Sequence, residues 1–184
     1  MQSDAVAPAV PAPETGFSNA QPIRHLVVLS VVSLGLYPPY WLYRNLKLLA
    51  AHRALSISPF WRTSFAFLPV IGWPIFKDQL QLFAEAAEAA GVPSAIAPWP
   101  HTLGFQLISA VAWLVPTPWS MFGNAAVIFL LPAQRTLNAY WAVAQPGRPT
   151  RTAYSAGEVV FAVVCALIWG VLLAALFVGE GIIA

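Results

Sequence analysis

Charge is scarce in this chain of 184 residues, with Lys, Arg, Asp and Glu making up only 9% of it. A water-soluble domain carries about 25%, so the deficit excludes an ordinary soluble fold. Nine Lys/Arg against seven Asp/Glu leave a formal charge of +2. A nucleic-acid surface needs a dense basic face, which nine scattered cations do not make, so no nucleic-acid partner is expected. Cysteine is scarcer still. Cys165 stands alone inside an apolar run, which excludes an intramolecular disulfide and leaves the redox compartment unread. Residues 1–22 contain no Lys or Arg and no continuous apolar core, both of which a secretory signal requires. Their Ala and Pro content predicts a disordered tail over 1–22, followed by a single helical membrane domain over 23–184.

Hydrophobic residues are plentiful at 59% of the chain, and there are 17 prolines. His25–Tyr43 is a stretch of 19 residues without charge, about 28 Å as a helix and close to the hydrocarbon thickness of roughly 30 Å. Pro38 and Pro39 near its end predict a kink at Tyr37. Tyr37, Tyr40, Trp41 and Tyr43 crowd at the same end, the composition of an interfacial aromatic belt. Leu42, Leu46 and Leu49 then recur at helical spacing opposite Arg44, Lys47 and Ala51, which predicts a surface helix. Residues 61–76 hold Pro69, Gly72 and Pro74; their length and hydrophobicity leave a re-entrant or interfacial hairpin and a true span open, and the charge distribution favours the hairpin. Asp78–Ala90 is an amphipathic helix with Gln81, Glu85 and Glu88 as its wet stripe. Residues 101–115 and 119–135 are two short spans separated by Pro116, Thr117 and Pro118. Ser155 and Glu158 have the spacing of a capping box, and Val159–Val178 follows as 20 residues without charge. Its thirteen Val, Ile, Leu and Phe residues favour insertion by roughly 4 to 8 kcal/mol.

The expected fold is therefore all-α: a multispan membrane protein with about four transmembrane helices (25–43, 101–115, 119–135, 159–178), one hairpin and amphipathic surface helices. Eight cations follow the first span and only Arg24 precedes it. The positive-inside rule then places the N-terminus outside and the basic loops in the cytoplasm, in the cell (inner) membrane.

Leu34-Gly35-Leu36-Tyr37 followed by Tyr40-Trp41-Leu42-Tyr43-Arg44-Asn45 resembles the L-G-x-Y…Y-W-x-Y-R/K opening of a group of small bacterial multispan proteins classed as a domain of unknown function. Ile57-Ser58-Pro59-Phe60-Trp61-Arg62 and Leu131-Pro132-Ala133-Gln134-Arg135 with Asn138 are similar to patterns in related bacterial membrane proteins. The resemblance implies a bacterial membrane protein and carries no activity with it. Pro39 departs from the smaller or aliphatic residue of that opening. Trp61/Pro74 and Trp119/Pro132 share a spacing, but the surrounding stretches align with only two identities, which favours coincidence over a repeat.

No catalytic constellation emerges. His25, His52 and His101 are far apart, whereas a metal site needs converging ligands, so no cofactor or metal is expected and the chain is not read as an enzyme. None of the apolar runs has a central charge of the kind that marks ion pathways. Two groups of residues stand out. Tyr40, Trp41, Arg44, Lys47, Arg53, Trp61 and Arg62 form a basic-aromatic set suited to anionic lipid headgroups, at about 1 kcal/mol per cation, or to a membrane-protein partner or second copy of the chain; interfacial anchoring is their simpler role. Lys77, Gln134, Arg135 and Asn138 are candidates for a polar vestibule, unless they merely satisfy carbonyls freed by Pro132. The expected role is non-enzymatic interaction with lipid or partner membrane proteins; the alternative is a small transporter or channel subunit built on the proline-broken segments.

Overall fold

Prolines start the helices of this chain. A computed structural model describes residues 16–33, 35–115 and 119–182, with side chains left undescribed at 113, 119–122, 172–173 and 175–182. The fold is all-helical: α1 (Ile23–Val32), α2 (Tyr37–His52), α3 (Pro59–Ala66), α4 (Gly72–Ala89), α5 (Pro98–Leu114), a 3₁₀ helix (Trp119–Leu130), α6 (Leu131–Ala144) and α7 (Ala156–Ile182). α2, α3, α5 and α6 each carry proline in their first two positions. There the missing N–H would have had no partner anyway, and the fixed φ suits a helix.

This changes the reading of residues 25–43. They form two helices rather than one span kinked at Tyr37. α1 closes at Ser33, Gly35 takes φ +80° and donates its N–H to Ser30 O at 3.0 Å, and α2 begins two residues later. Only glycine adopts that φ without strain. The Tyr37 N–H is taken by Ser33 Oγ at 2.8 Å, so the new helix starts with a side-chain acceptor from the old one.

Residues 61–76 likewise fold as a helical hairpin. α3 ends at Ala66, the chain turns through Phe67–Ile71, and α4 packs back on α3. A Cβ on Gly72 would lie 2.5 Å from Ala66 O, so the close approach requires glycine. Phe65, Leu68, Val70 and Ile71 are exposed around the tip. By contrast, the 3₁₀ helix runs straight into α6 with no intervening residue. The Trp61/Pro74 and Trp119/Pro132 segments thus have different conformations, which removes the structural basis for a repeat.

Two kinds of helix make up the fold. α2, α4 and α6 turn most of their large apolar side chains inward, with Asn45, Gln79 and Gln134 buried among them, and carry their charges outside. Leu42, Leu46 and Leu49 of α2, Leu80 and Phe83 of α4, and Leu137 and Trp141 of α6 are almost wholly buried, at about 1.5–3 kcal/mol each for the aliphatic and Phe side chains. Trp41 meets Phe83 edge-on at 6.2 Å. Lys47, Glu85, Glu88 and Arg135 lie outside. α1 and α5 also turn apolar side chains outward. In α1, Leu26 and Leu29 are buried together with His25 and Ser30 while Val28 and Val31 are exposed; in α5, Phe105 is buried together with Thr102 and Gln106 while Leu103, Leu107, Val111 and Leu114 form an outward stripe. α5 packs on the 3₁₀ helix with its Gly104 Cα facing the Phe129 ring and Ala112 against Gly123. Twelve 3₁₀ residues cover about 24 Å and the 17 α-helical residues of α5 about 25 Å, so the tighter winding matches the two lengths. Residues 116–118, where the sequence places the turn between two spans, lie outside the described residues.

Among the described residues, no helix is long and apolar enough to cross a membrane. The uncharged run of α7 extends to Val178 in the sequence, past the described side chains.

The N-terminal segment brings the largest departure from expectation. Residues 16–22 form a strap rather than part of a disordered tail; residues 1–15 lie outside the described residues. Ser18 pairs with Thr150 in an isolated parallel bridge, its N–H donating to Pro149 O at 3.0 Å. The Asn19 N–H donates to Gln145 Oε1 at 2.8 Å, and Gln21 is 2% exposed. A strap in hydrogen-bond contact with the link 145–155 cannot lie across a bilayer from it. The strap and the link 145–155 therefore lie side by side.

Candidate functional site

Gln21 is the point where strap, α2, α6 and α7 meet, and all of its polar groups are engaged. Its backbone N–H donates to Asn138 Oδ1 at 2.9 Å. Its carbonyl accepts from Gln134 Nε2 at 3.1 Å and Asn138 Nδ2 at 2.9 Å. Its side-chain amide donates to Tyr37 Oη and to Glu158 Oε1 at 3.2 Å, and accepts from Arg44 Nη1 at 3.2 Å. Tyr37 Oη in turn donates to Glu158 Oε1 at 3.4 Å. Trp41 Nε1 donates to Gln134 Oε1, and Gln134 Nε2 to Asn138 Oδ1 at 2.7 Å. Burial makes such a network costly to break, because each orphaned group loses about 1–3 kcal/mol.

Glu158 joins this network to the start of α7. The Ser155 N–H donates to Glu158 Oε2 at 2.7 Å and the Glu158 N–H to Ser155 Oγ at 3.1 Å. This is the reciprocal capping box written in the sequence. The same carboxylate also takes Gln21 and Tyr37, a role the spacing alone did not disclose.

Beside the network lies a cleft of about 100 Å³, lined in part by Gln21, Tyr40, Arg44, Arg151, Ser155 and Glu158. Arg24 Nη2 donates to Thr152 O at 2.7 Å. His25 also lines the cleft, with Nε2 at 3.1 Å from Thr152 O and its ring stacked on Tyr154 at 4.1 Å. A second cavity of about 30 Å³ sits where α1 breaks, against α5 and the 3₁₀ helix, and includes Ser30, Ser109 and Asn124 in its lining. Ser30 Oγ is buried there without a partner.

The basic-aromatic set does not form one surface. Trp41 is wholly buried and belongs with Gln134, which corrects its reading as a lipid or partner contact: its indole points into the bundle because Phe83 and the Gln134 acceptor lie there. Arg44 turns to Gln21. Tyr40 is exposed, 6.5 Å from the Phe161 ring of α7. Lys47 is exposed, 5.9 Å over the Tyr43 ring. Arg53 is exposed near Tyr140, whose phenol is pushed above its ordinary range by burial and held back by Arg53. Trp61 is exposed and stacks on Phe65 at 5.8 Å, and Arg62 is half-buried on the same helix, its carbonyl accepting from Gln79. The vestibule set also divides. Gln134 and Asn138 are joined inside, Lys77 pairs with Asp78 at 3.0 Å, and Arg135 is exposed.

Among the described residues, no three His, Cys, Asp or Glu side chains are grouped to hold a metal. His52 packs edge-on to Trp141 at 5.3 Å, and His101 Nδ1 accepts the Ala97 N–H at 3.1 Å. Sequence reasoning missed Gln21, His25 and Arg151 as members of one locus. A signal was present: Gln134 and Asn138 sit four residues apart, and their amides on a largely buried face require a polar partner from elsewhere. No family model, curated protein or solved structure matches the chain.

Proposed function

We propose that this chain is a membrane-embedded helical protein whose polar headpiece lies at one bilayer face and acts by binding lipid or a partner membrane protein. The outward apolar faces of α1 and α5 carry this reading: Val28, Val31, Leu103, Leu107, Val111 and Leu114 are exposed, while Ser30, Thr102 and Gln106 are among the buried residues. Water penalises such exposure, and a broad exposed apolar face marks a membrane or protein contact. α7 adds to it: Val160, Val163, Leu167 and Val171 are 53–69% exposed. The helix spans 27 residues, about 40 Å, and contains the whole uncharged Val159–Val178 run.

In this reading α1/α2 and α3/α4 are hairpins that return to their own side, α5 and the 3₁₀ helix cross and return, and α7 crosses once. The strap, the link 145–155 and the cations, now including Arg24, share one face, which the positive-inside rule makes cytoplasmic. The test is alkaline carbonate extraction of membranes from cells producing the chain. Retention in the pellet supports the proposal, and release into the supernatant refutes it.

A second reading, a small transporter or channel subunit, draws support from the small cavity at the α1 break, which Ser30, Ser109 and Asn124 help to line. Broken helices with polar linings mark binding sites in such proteins. Solute-dependent thermal stabilisation, abolished by Asn124→Ala, would favour it over the interaction role.

A further inference from the structure

We infer that the cleft beneath the strap is a binding site for the phosphodiester headgroup of an anionic phospholipid. The inference rests on the membrane reading above and deepens it. The cleft holds about 100 Å³. A single water needs about 10–15 Å³, so the space admits a tetrahedral phosphate together with a few waters. Arg44 and Arg151 line it, and Arg24 bonds the carbonyl of Thr152, which stands between the lining residues Arg151 and Ala153.

The donors there have room to act. Arg44 makes a hydrogen bond to the neutral Gln21 Oε1, and a guanidinium has five N–H donors in a planar fork. The one salt bridge among the described residues is Lys77–Asp78, so neither Arg44 nor Arg151 lies within ion-pair distance of a described carboxylate. Glu158 is the one carboxylate lining the cleft among the described residues, and its two oxygens already accept from Gln21, Tyr37 and Ser155. Among the described residues the locus is thus net cationic, with donors suited to bidentate phosphate recognition.

Lipid rather than free phosphate follows from what adjoins the cleft. Tyr40 forms part of its wall and reaches the Phe161 ring on α7. Val159, Val160 and Val163 are exposed on the same stretch of α7. A headgroup seated on the arginines would leave its acyl chains beside apolar side chains.

The experiment uses the full-length chain in detergent, with retained lipid measured by native mass spectrometry. Phosphatidylglycerol, phosphatidylcholine and inorganic phosphate are the probes. The expected result is preference for phosphatidylglycerol, reduced about 30-fold in Arg44→Gln/Arg151→Gln and less than about threefold in the charge-matched control Lys47→Gln/Arg53→Gln. Arg151→Gln alone, an exposed residue outside the buried network, should weaken binding about fivefold with unchanged lipid-free thermal stability. Equal losses in both double variants would mean diffuse surface attraction and overturn the site. So would inorganic phosphate competing as strongly as the lipid, or an Arg151→Gln variant that binds like the wild type. If the chain is released by carbonate, the membrane reading fails; if it is retained and the arginine variants bind normally, the headgroup site alone fails.

Discussion

Replacing Gln134 with leucine should destabilise the protein by orphaning one identifiable group. Gln134 is 1% exposed and accepts the Trp41 indole N–H. The other partners of Gln134 keep a bond each: Gln21 O retains Asn138 Nδ2, and Asn138 Oδ1 retains the Gln21 N–H. The indole N–H of Trp41, wholly buried, has no replacement. A buried unsatisfied donor costs about 1–3 kcal/mol. For a chain of this length each kcal/mol moves Tm by about 2–4 °C, so Gln134→Leu should lower it by roughly 2–12 °C. Trp41→Phe loses the donor as well as ring contact with Phe83 and should be destabilising for a different reason. In the double variant the orphan no longer exists, so the two changes should be less than additive by about 1–2 kcal/mol. Thermal unfolding followed by near-UV circular dichroism in one detergent measures all four proteins. An unchanged Tm in Gln134→Leu, or strict additivity in the cycle, would refute the network as a source of stability.

Three further outcomes follow from the packing. Gly72→Ala should cost more than Gly104→Ala in the same unfolding assay, because its Cβ would meet the Ala66 backbone oxygen whereas that of Gly104 would meet the Phe129 ring, and a side chain can rotate away; overpacking of this kind costs about 1–3 kcal/mol. Glu158→Ala should lower stability more than Ser155→Ala in that assay, since the serine contributes only to the helix cap, about 1 kcal/mol, and the carboxylate also holds Gln21 and Tyr37. The folded-state pKa of Tyr140 is raised by burial above the ordinary tyrosine value of 10.0. Its neutral form is therefore favoured by folding, and the associated stability is full below that value and lost as pH rises through the folded pKa. Tm measured across this alkaline range should fall less steeply in Tyr140→Phe than in the wild type.

Much of the headpiece was legible because its helices obey the ordinary pattern. The Leu42/Leu46/Leu49 face, the Gln81/Glu85/Glu88 stripe and the Ser155–Glu158 box are local periodicities, and local spacing encodes them. The break between α1 and α2 was harder. A double proline is compatible with a kink or with a fresh start, and the choice was decided by Gly35 and by Ser33 Oγ meeting the Tyr37 N–H. Trp41 misled because an aromatic beside tyrosines and arginine resembles an interfacial belt; only the partner on α6, 93 residues away, shows why the indole turns inward. The strap was invisible for a related reason. Ser18–Gln21 has low hydrophobicity and two prolines nearby, the composition of a tail, and its order comes from long-range hydrogen bonds to Pro149, Gln145, Gln134 and Asn138. Periodicity carries no record of those. The outward apolar faces of α1 and α5 were equally hidden, because an apolar run with a few serines and glutamines does not say which face is inward.

The account stands or falls on the strap and the α6–α7 link sharing one side of a bilayer that α7 crosses. The direct measurement is labelling of single cysteines with a membrane-impermeant maleimide, in intact spheroplasts and in inverted vesicles, in a Cys165→Ala background. Gly16→Cys and Thr152→Cys should both label from the cytoplasmic face, and Ala184→Cys from the opposite one. Labelling of Gly16→Cys and Thr152→Cys from opposite faces would contradict the strap contact, and labelling of Thr152→Cys and Ala184→Cys from the same face would contradict the crossing of α7.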